Sequence, residues 1–199
     1  VFSEAPRSEK ALIEELVEYA QKARREGIIA LEGPLESASD PFLRKALMLA
    51  VDGADSKTMR DNLELLINHY EEDKEQLYKV WESAGGYAPT IGIVGAVMGL
   101  IHVMQSLADV SAVGKGIAVA FVATIYGVAL ANLFLLPVAF KLKLKLKAET
   151  KQLELMMEGA LAIQEGMNPS LIRDKLSSFY SEQEKPQGVV RATEAEART

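Results

Sequence analysis

The sequence predicts an all-α integral membrane protein: two transmembrane helices forming a hairpin, a cytoplasmic helical domain before them and a helical extension after them. Three observations predict this. The segments Ser83–Ala108 and Gly116–Phe140 contain no Asp, Glu, Lys or Arg. Each holds about 25 residues, some 37 Å as helix against roughly 30 Å of hydrocarbon, and is long enough to span. Finally, all 22 basic and 28 acidic residues of the 199 fall outside these segments, so about a third of the remainder is charged where a quarter is usual.

Taken in order, Val1–Arg7 reads as the end of something preceding, and Ser8 caps a helical pattern running to about Gly27. Leu12, Leu16, Tyr19, Ala20 and Ala23 recur at spacings of three and four, one face of an amphipathic helix. A short pattern from Ile28 to Leu31 reaches Glu32 and is expected to stop at Gly33-Pro34. Asp40-Pro41, as N-cap and first helical residue, restarts the chain to about Val51. Asp55 or Ser56 caps the next helix, in which Met59, Leu63, Leu66, Tyr70, Leu77 and Val80 sustain the apolar face to about Ser83. The spans themselves are expected at about 86–108 and 116–139, within a membrane domain of residues 85–140. The preceding domain is then 1–84, the extension 141–180 and the tail 181–199.

Only Asp109–Lys115 separates the spans, and it carries one acid and one base, whereas Lys141, Lys143, Lys145 and Lys147 follow the second span. The loop is therefore expected outside, with both ends of the chain in the cytoplasm. The alternation K-L-K-L-K-L-K taken alone reads as a strand. A helix leaving the membrane explains it better, because lysines extend toward headgroups while Leu142 and Leu146 stay one turn apart. The pattern continues through Leu153, Met156, Met157, Ala160, Leu161 and Gln164 to Gly166. Asn168-Pro169 opens a last helix through Leu171, Ile172, Leu176 and Phe179. After Tyr180 the chain is polar and aperiodic, as expected of a disordered tail.

Composition narrows function. With no Cys and only His69 and His102, thiolate chemistry is excluded and a histidine metal cluster nearly so. A net charge of −6 argues against a general nucleic-acid binder. No nucleophile, metal cluster or phosphate loop can be assembled, and Gly114-Lys115-Gly116 lacks P-loop spacing, so an enzyme and a cofactor are not expected.

Four features could carry function. Gly92, Ala96 and Gly99, with Gly95 one step aside, and Gly116, Ala120, Thr124, Gly127 and Ala131 form small-residue stripes that let helices approach closely in lipid, either within the hairpin or toward other chains. Thr124 either lines a path or bonds back to the carbonyl four residues earlier. Neither span has a carboxylate, and His102 is their only ionisable group, an interfacial residue or a proton relay. If ions pass, the titrating acid comes from elsewhere. Pro89 and Pro137, one per span, either mark helix ends or form hinges. The charged run around Arg24 and Glu32 reads as a solvated helix face unless a partner uses it.

The runs A-R-R-E-G-I-I-A-L-E (23–32), A-P-T-I-G-I-V-G-A-V-M-G-L-I (88–101), V-A-T-I-Y-G (122–127), Leu136-Pro137 and E-G-A-L-A-I-Q-E-G-M-N-P (158–169) together resemble the MotA/PomA family of flagellar stator subunits. The resemblance covers residues 1 to about 180 in order. It implies four membrane helices in the family, of which this sequence shows what resembles the third and fourth. It further implies a homo-pentamer around two MotB chains in the bacterial inner membrane, each MotB contributing the aspartate that carries the ion, and a cytoplasmic domain that pushes on the rotor protein FliG. By the same resemblance Arg24 and Glu32 are the rotor-contacting pair, Pro89 and Pro137 the coupling prolines, and Thr124 the channel-lining threonine. Ala96 stands where sodium-driven members carry a further threonine, which points toward protons. The alternative within the wider superfamily is an ExbB/TolQ-type energiser of outer-membrane transport, expected to lack the 23–32 and 158–169 motifs. A soluble helical scaffold would instead be extracted without detergent.

Overall fold

The computed structural model describes residues 9–105, 108 and 110–181, and every described element is helical. They are α1 (Glu9–Glu26), a 3₁₀ turn (Ile28–Leu31), α2 (Glu32–Leu35), α3 (Pro41–Val51), α4 (Ser56–Gln105), α5 (Val110–Leu130), a π turn (Ala131–Leu135), α6 (Leu136–Gln164) and α7 (Pro169–Ser181). The chain divides into two compact units, residues 1–69 with 148–199, and residues 70–147. Both α4 and α6 contribute to each.

The first unit is a helical core. Leu12, Leu16 and Val17 of α1, Leu43 and Leu47 of α3, Met59 and Leu63 of α4, Leu155, Ala160 and Ile163 of α6, and Ile172 and Leu176 of α7 are all buried in one cluster. The helix starts follow the sequence signals. Asp40 accepts the Phe42 N–H at 2.7 Å with Pro41 next, and Asp55 accepts from the N–H groups of Lys57 and Thr58 at 3.1 and 3.0 Å. Asn168 does the same for Ser170 N at 3.1 Å. Gly27 takes φ +87° where α1 ends, a conformation open to glycine at no cost. The expected cap Ser8 and the expected tail beyond Ser181 lie outside the described residues.

Three boundaries differ from expectation. Gly33-Pro34 does not end a helix but lies inside α2, because a proline in the first turn surrenders an N–H that has no intrahelical partner. No break separates residue 83 from 86: α4 runs 50 residues straight through Pro89. The helix α5 begins at Val110, so Lys115 is helical rather than in a loop; residues 106, 107 and 109 lie outside the described ones. The K-L-K-L-K-L-K run is helical, within α6. Both long helices have the length and apolar composition to cross a membrane.

Candidate functional site

Within the second unit, α4 and α5 pack as an antiparallel pair through small residues. A methyl group added at Gly92 would lie 2.9 Å from the Ala123 carbonyl oxygen and 3.2 Å from Gly127 Cα. One at Gly127 would lie 2.7 Å from the Ala88 carbonyl oxygen, and one at Gly99 3.3 Å from the Gly116 carbonyl oxygen. The contact is backbone against backbone, which only residues without a side chain allow. Leu136 packs where a Gly85 side chain would stand, and Val103 does the same over Gly116.

The seam on α4 therefore reads Gly85, Ala88, Gly92, Gly95, Gly99, Val103, at spacings of three and four that keep to one helix face. This corrects the stripe read from sequence, since a methyl group added at Gly95 would lie 3.1 Å from Ala123 Cβ, and Gly95 is no step aside. Ala96 is half-buried beside the seam. Gly95, three residues after Gly92 and four before Gly99, falls on the same helix face as both and so on the contact line.

Thr124 lies on the seam, its Cα 3.4 Å from the position of a Gly92 Cβ, and its hydroxyl donates to the Ala120 carbonyl at 3.2 Å. The back-bond to the carbonyl four residues earlier is thus formed in this chain. His102 is exposed. Pro89 follows the seam residue Ala88 and is half-buried, whereas Pro137 follows Leu136 and is exposed.

The sequence reading missed the π turn. Leu136 N–H bonds to the Ala131 carbonyl, five residues back, and Pro137, the next residue, has no N–H to offer. A missing donor beside a widened turn leaves the helix locally short of hydrogen bonds. Asn132, inside the widened turn, donates its side-chain N–H to the Val128 carbonyl at 2.9 Å. Both signals stood in the sequence: Asn132 is the only amide side chain in the second charge-free segment, five residues before its proline.

In the first unit Arg24 sits in the last turn of α1 and Glu32 opens α2, and both are exposed. Their setting is fixed by buried neighbours. Leu31 and Leu35 are fully buried, and Gly159 lets Leu16 close on α6, where a methyl group would meet Leu16 Cδ1 at 2.6 Å. Around them the 158–169 motif works as a brace. Glu158 accepts from Arg60 of α4 and from Lys175 of α7, both at 2.8 Å. Burial opposes ionisation of this carboxyl, but the bonds from Lys175 and Arg60 outweigh it and hold its pKa below the usual carboxylate value. Gln164 accepts from Ser56 Oγ at 2.5 Å and donates to the Ala54 carbonyl at 3.1 Å, tying the start of α4 to the end of α6. Arg173 of α7 pairs with Glu14 of α1.

A helical pair of membrane length, closed by glycine contacts and joined in sequence to a separately cored helical unit, defines an integral membrane subunit. Residues 35–155 match the MotA/TolQ/ExbB proton channel family. The chain is 37% identical over 185 residues to motility protein A of Treponema phagedenis, covering 93% of this chain and 71% of the relative. It is 40% identical over 171 residues to motility protein A of Bacillus subtilis, covering 84% and 63%. Among solved structures, that of C. jejuni MotAB superposes with a TM-score of 0.83 at 32% identity, covering 92% of this chain and 72% of that one. The flagellar MotAB stator complex from Bacillus subtilis gives 0.78 at 38%, covering 88% and 69%. The chain belongs to the MotA/TolQ/ExbB proton channel family, on its motility protein A side, as a membrane-embedded flagellar stator subunit in an ion channel.

Proposed function

We propose that this subunit assembles with a MotB-type partner into a proton channel of the bacterial inner membrane and turns proton flow into torque on a FliG-type rotor protein. The observation that carries this reading is the seam itself. It is closed backbone to backbone, and the two charge-free segments hold no carboxylate, so the acid that binds the ion comes from outside these segments, in this reading from a partner chain. The solved complexes to which the chain is similar are MotAB assemblies. Five copies around two partner chains, each partner bringing one membrane aspartate, supply the missing group.

In this arrangement both ends of the described chain are cytoplasmic, which the four lysines after the second span support. The spans, proposed at about 86–108 and 116–139, leave residues 1–84 and 141–180 in the cytoplasm. Thr124 borders the ion path. Ala96 offers a methyl group where a sodium site would need an oxygen, because a dehydrated sodium ion needs several ligands while a proton needs one titrating carboxylate. Pro89 and Pro137, with the π turn before the latter, are the places where each helix can bend when the partner's aspartate takes up its proton. Arg24 and Glu32 present opposite charges at adjoining helix ends for the rotor.

The test is whether the full-length gene, expressed with its partner, restores swimming to a strain lacking its own stator. Restored swimming supports the reading. Correct membrane insertion and partner binding without swimming, together with restored outer-membrane transport in a strain lacking its ExbB or TolQ, would place the subunit with the energisers instead.

A further inference from the structure

Asn132 is a primary amide in a segment otherwise built for hydrocarbon. From Phe140, the last residue of the charge-free segment, it lies eight residues in, about 12 Å along the helix, and so below the headgroups. It is exposed on the hairpin surface. Its N–H side is committed to the Val128 carbonyl, which fixes the amide's orientation because an oxygen there would face another oxygen. Oδ1 is thereby turned outward as an acceptor. An outward amide oxygen left without a donor in hydrocarbon is costly, so a donor from another helix is called for.

The hairpin supplies a candidate on its other helix. The contacts Gly85 with Leu136 and Gly92 with Gly127 set the register of the pair. Interpolated between them, Thr90 lies opposite residue 130 and Asn132 opposite residue 88, so the two share one layer to within about 3 Å. Thr90 is also exposed. It lies about 160° round α4 from the seam residue Gly92, and Asn132 about 140° round from Gly127. Each points away from the other within one chain. In a ring of copies whose axis is normal to the membrane, however, every copy keeps the same depth, and α5 of one hairpin can face α4 of the next.

We propose that Asn132 Oδ1 of one copy accepts a hydrogen bond from the Thr90 hydroxyl of the neighbouring copy, as the polar contact that fixes the register of the ring within the membrane. This rests on the homo-oligomeric reading above. The contact is head-to-tail, so each copy donates once and accepts once.

The sequence has no Cys, which makes disulfide mapping direct. In the full-length protein, expressed with its partner and oxidised in intact membranes, the Thr90→Cys/Asn132→Cys double variant is expected to give a ladder of linked chains up to the size of the ring. Thr90→Cys and Asn132→Cys expressed separately should remain single, and co-expressed should give dimers only, as a head-to-tail contact demands. Native electrophoresis of the unoxidised variant reports the assembly independently. An intact oligomer with no ladder, or with links to the partner protein instead, overturns the contact while leaving the oligomer standing. A protein of unaltered sequence that is monomeric on the same gel overturns both.

Discussion

Glu158 shows how one side chain fixes several helices. Its carboxylate joins α4 through Arg60 and α7 through Lys175, and only about 17% of the side chain is exposed. Its folded pKa is depressed, so the stability it adds is complete above the ordinary carboxylate range and is lost as pH falls through that range and below it. Glu158→Leu should cost the first unit about 1–3 kcal/mol, because Arg60 and Lys175 both lose their acceptor. Denaturant unfolding at pH 7 checks the magnitude. Glu158→Gln should additionally flatten the fall in stability on acidification. Arg24 and Glu32 belong to a different kind of argument, since both are exposed and their side chains are not needed for packing. Arg24→Glu should impair swimming with unchanged protein levels, and a matching charge reversal on the rotor should partly restore it, more so at low salt, because attraction between exposed charges is screened. Swimming unaffected by both Arg24→Glu and Glu32→Lys would remove the pair from the torque interface.

At the scale of elements, the glycines divide sharply. Gly127→Ala would drive a methyl group to 2.7 Å from the Ala88 carbonyl oxygen, with no flexible side chain to yield, whereas Gly114→Ala meets nothing within 4 Å. Gly127→Ala should lower the yield of assembled complex and the melting temperature in detergent, with Gly114→Ala unchanged on both counts. Pro89→Ala and Pro137→Ala should lower torque while leaving insertion and assembly intact; lost assembly would make them structural. How far the sequence revealed these elements depended on the range of the physics involved. Caps at Asp40, Asp55 and Asn168 were legible because a side chain satisfies an N–H two or three residues on. The place of Gly95 on the seam was not, because Gly95 and Ala96 both lie within a turn of Gly92 and Gly99, and which of the two meets α5 is decided only when the helices dock. The π turn escaped for a related reason. Asn132 and Pro137 were both visible, but which carbonyl goes unpaired depends on the register of the whole helix. The brace of Glu158 and Gln164 joins residues about a hundred positions apart, and no local pattern reports that.

Across the whole molecule, two physically different units share one chain. The first is held by a conventional apolar core with charged braces at its edge. The second leaves Ile91, Met98, Phe121, Tyr126 and Phe134 exposed on its surface, as residues facing lipid or other chains would be. In the proposed reading this subunit works within an assembly, the two charge-free segments holding no carboxylate of their own. The proposed coupling to protons follows from that lack and from the methyl group at Ala96. Tethered-cell rotation in a stator-less strain carrying the full-length subunit and its partner tests the claim most directly, with pH held fixed, external sodium varied and an uncoupler then added. The account predicts rotation that is indifferent to sodium and stops with the uncoupler; rotation that follows sodium and survives the uncoupler would contradict it.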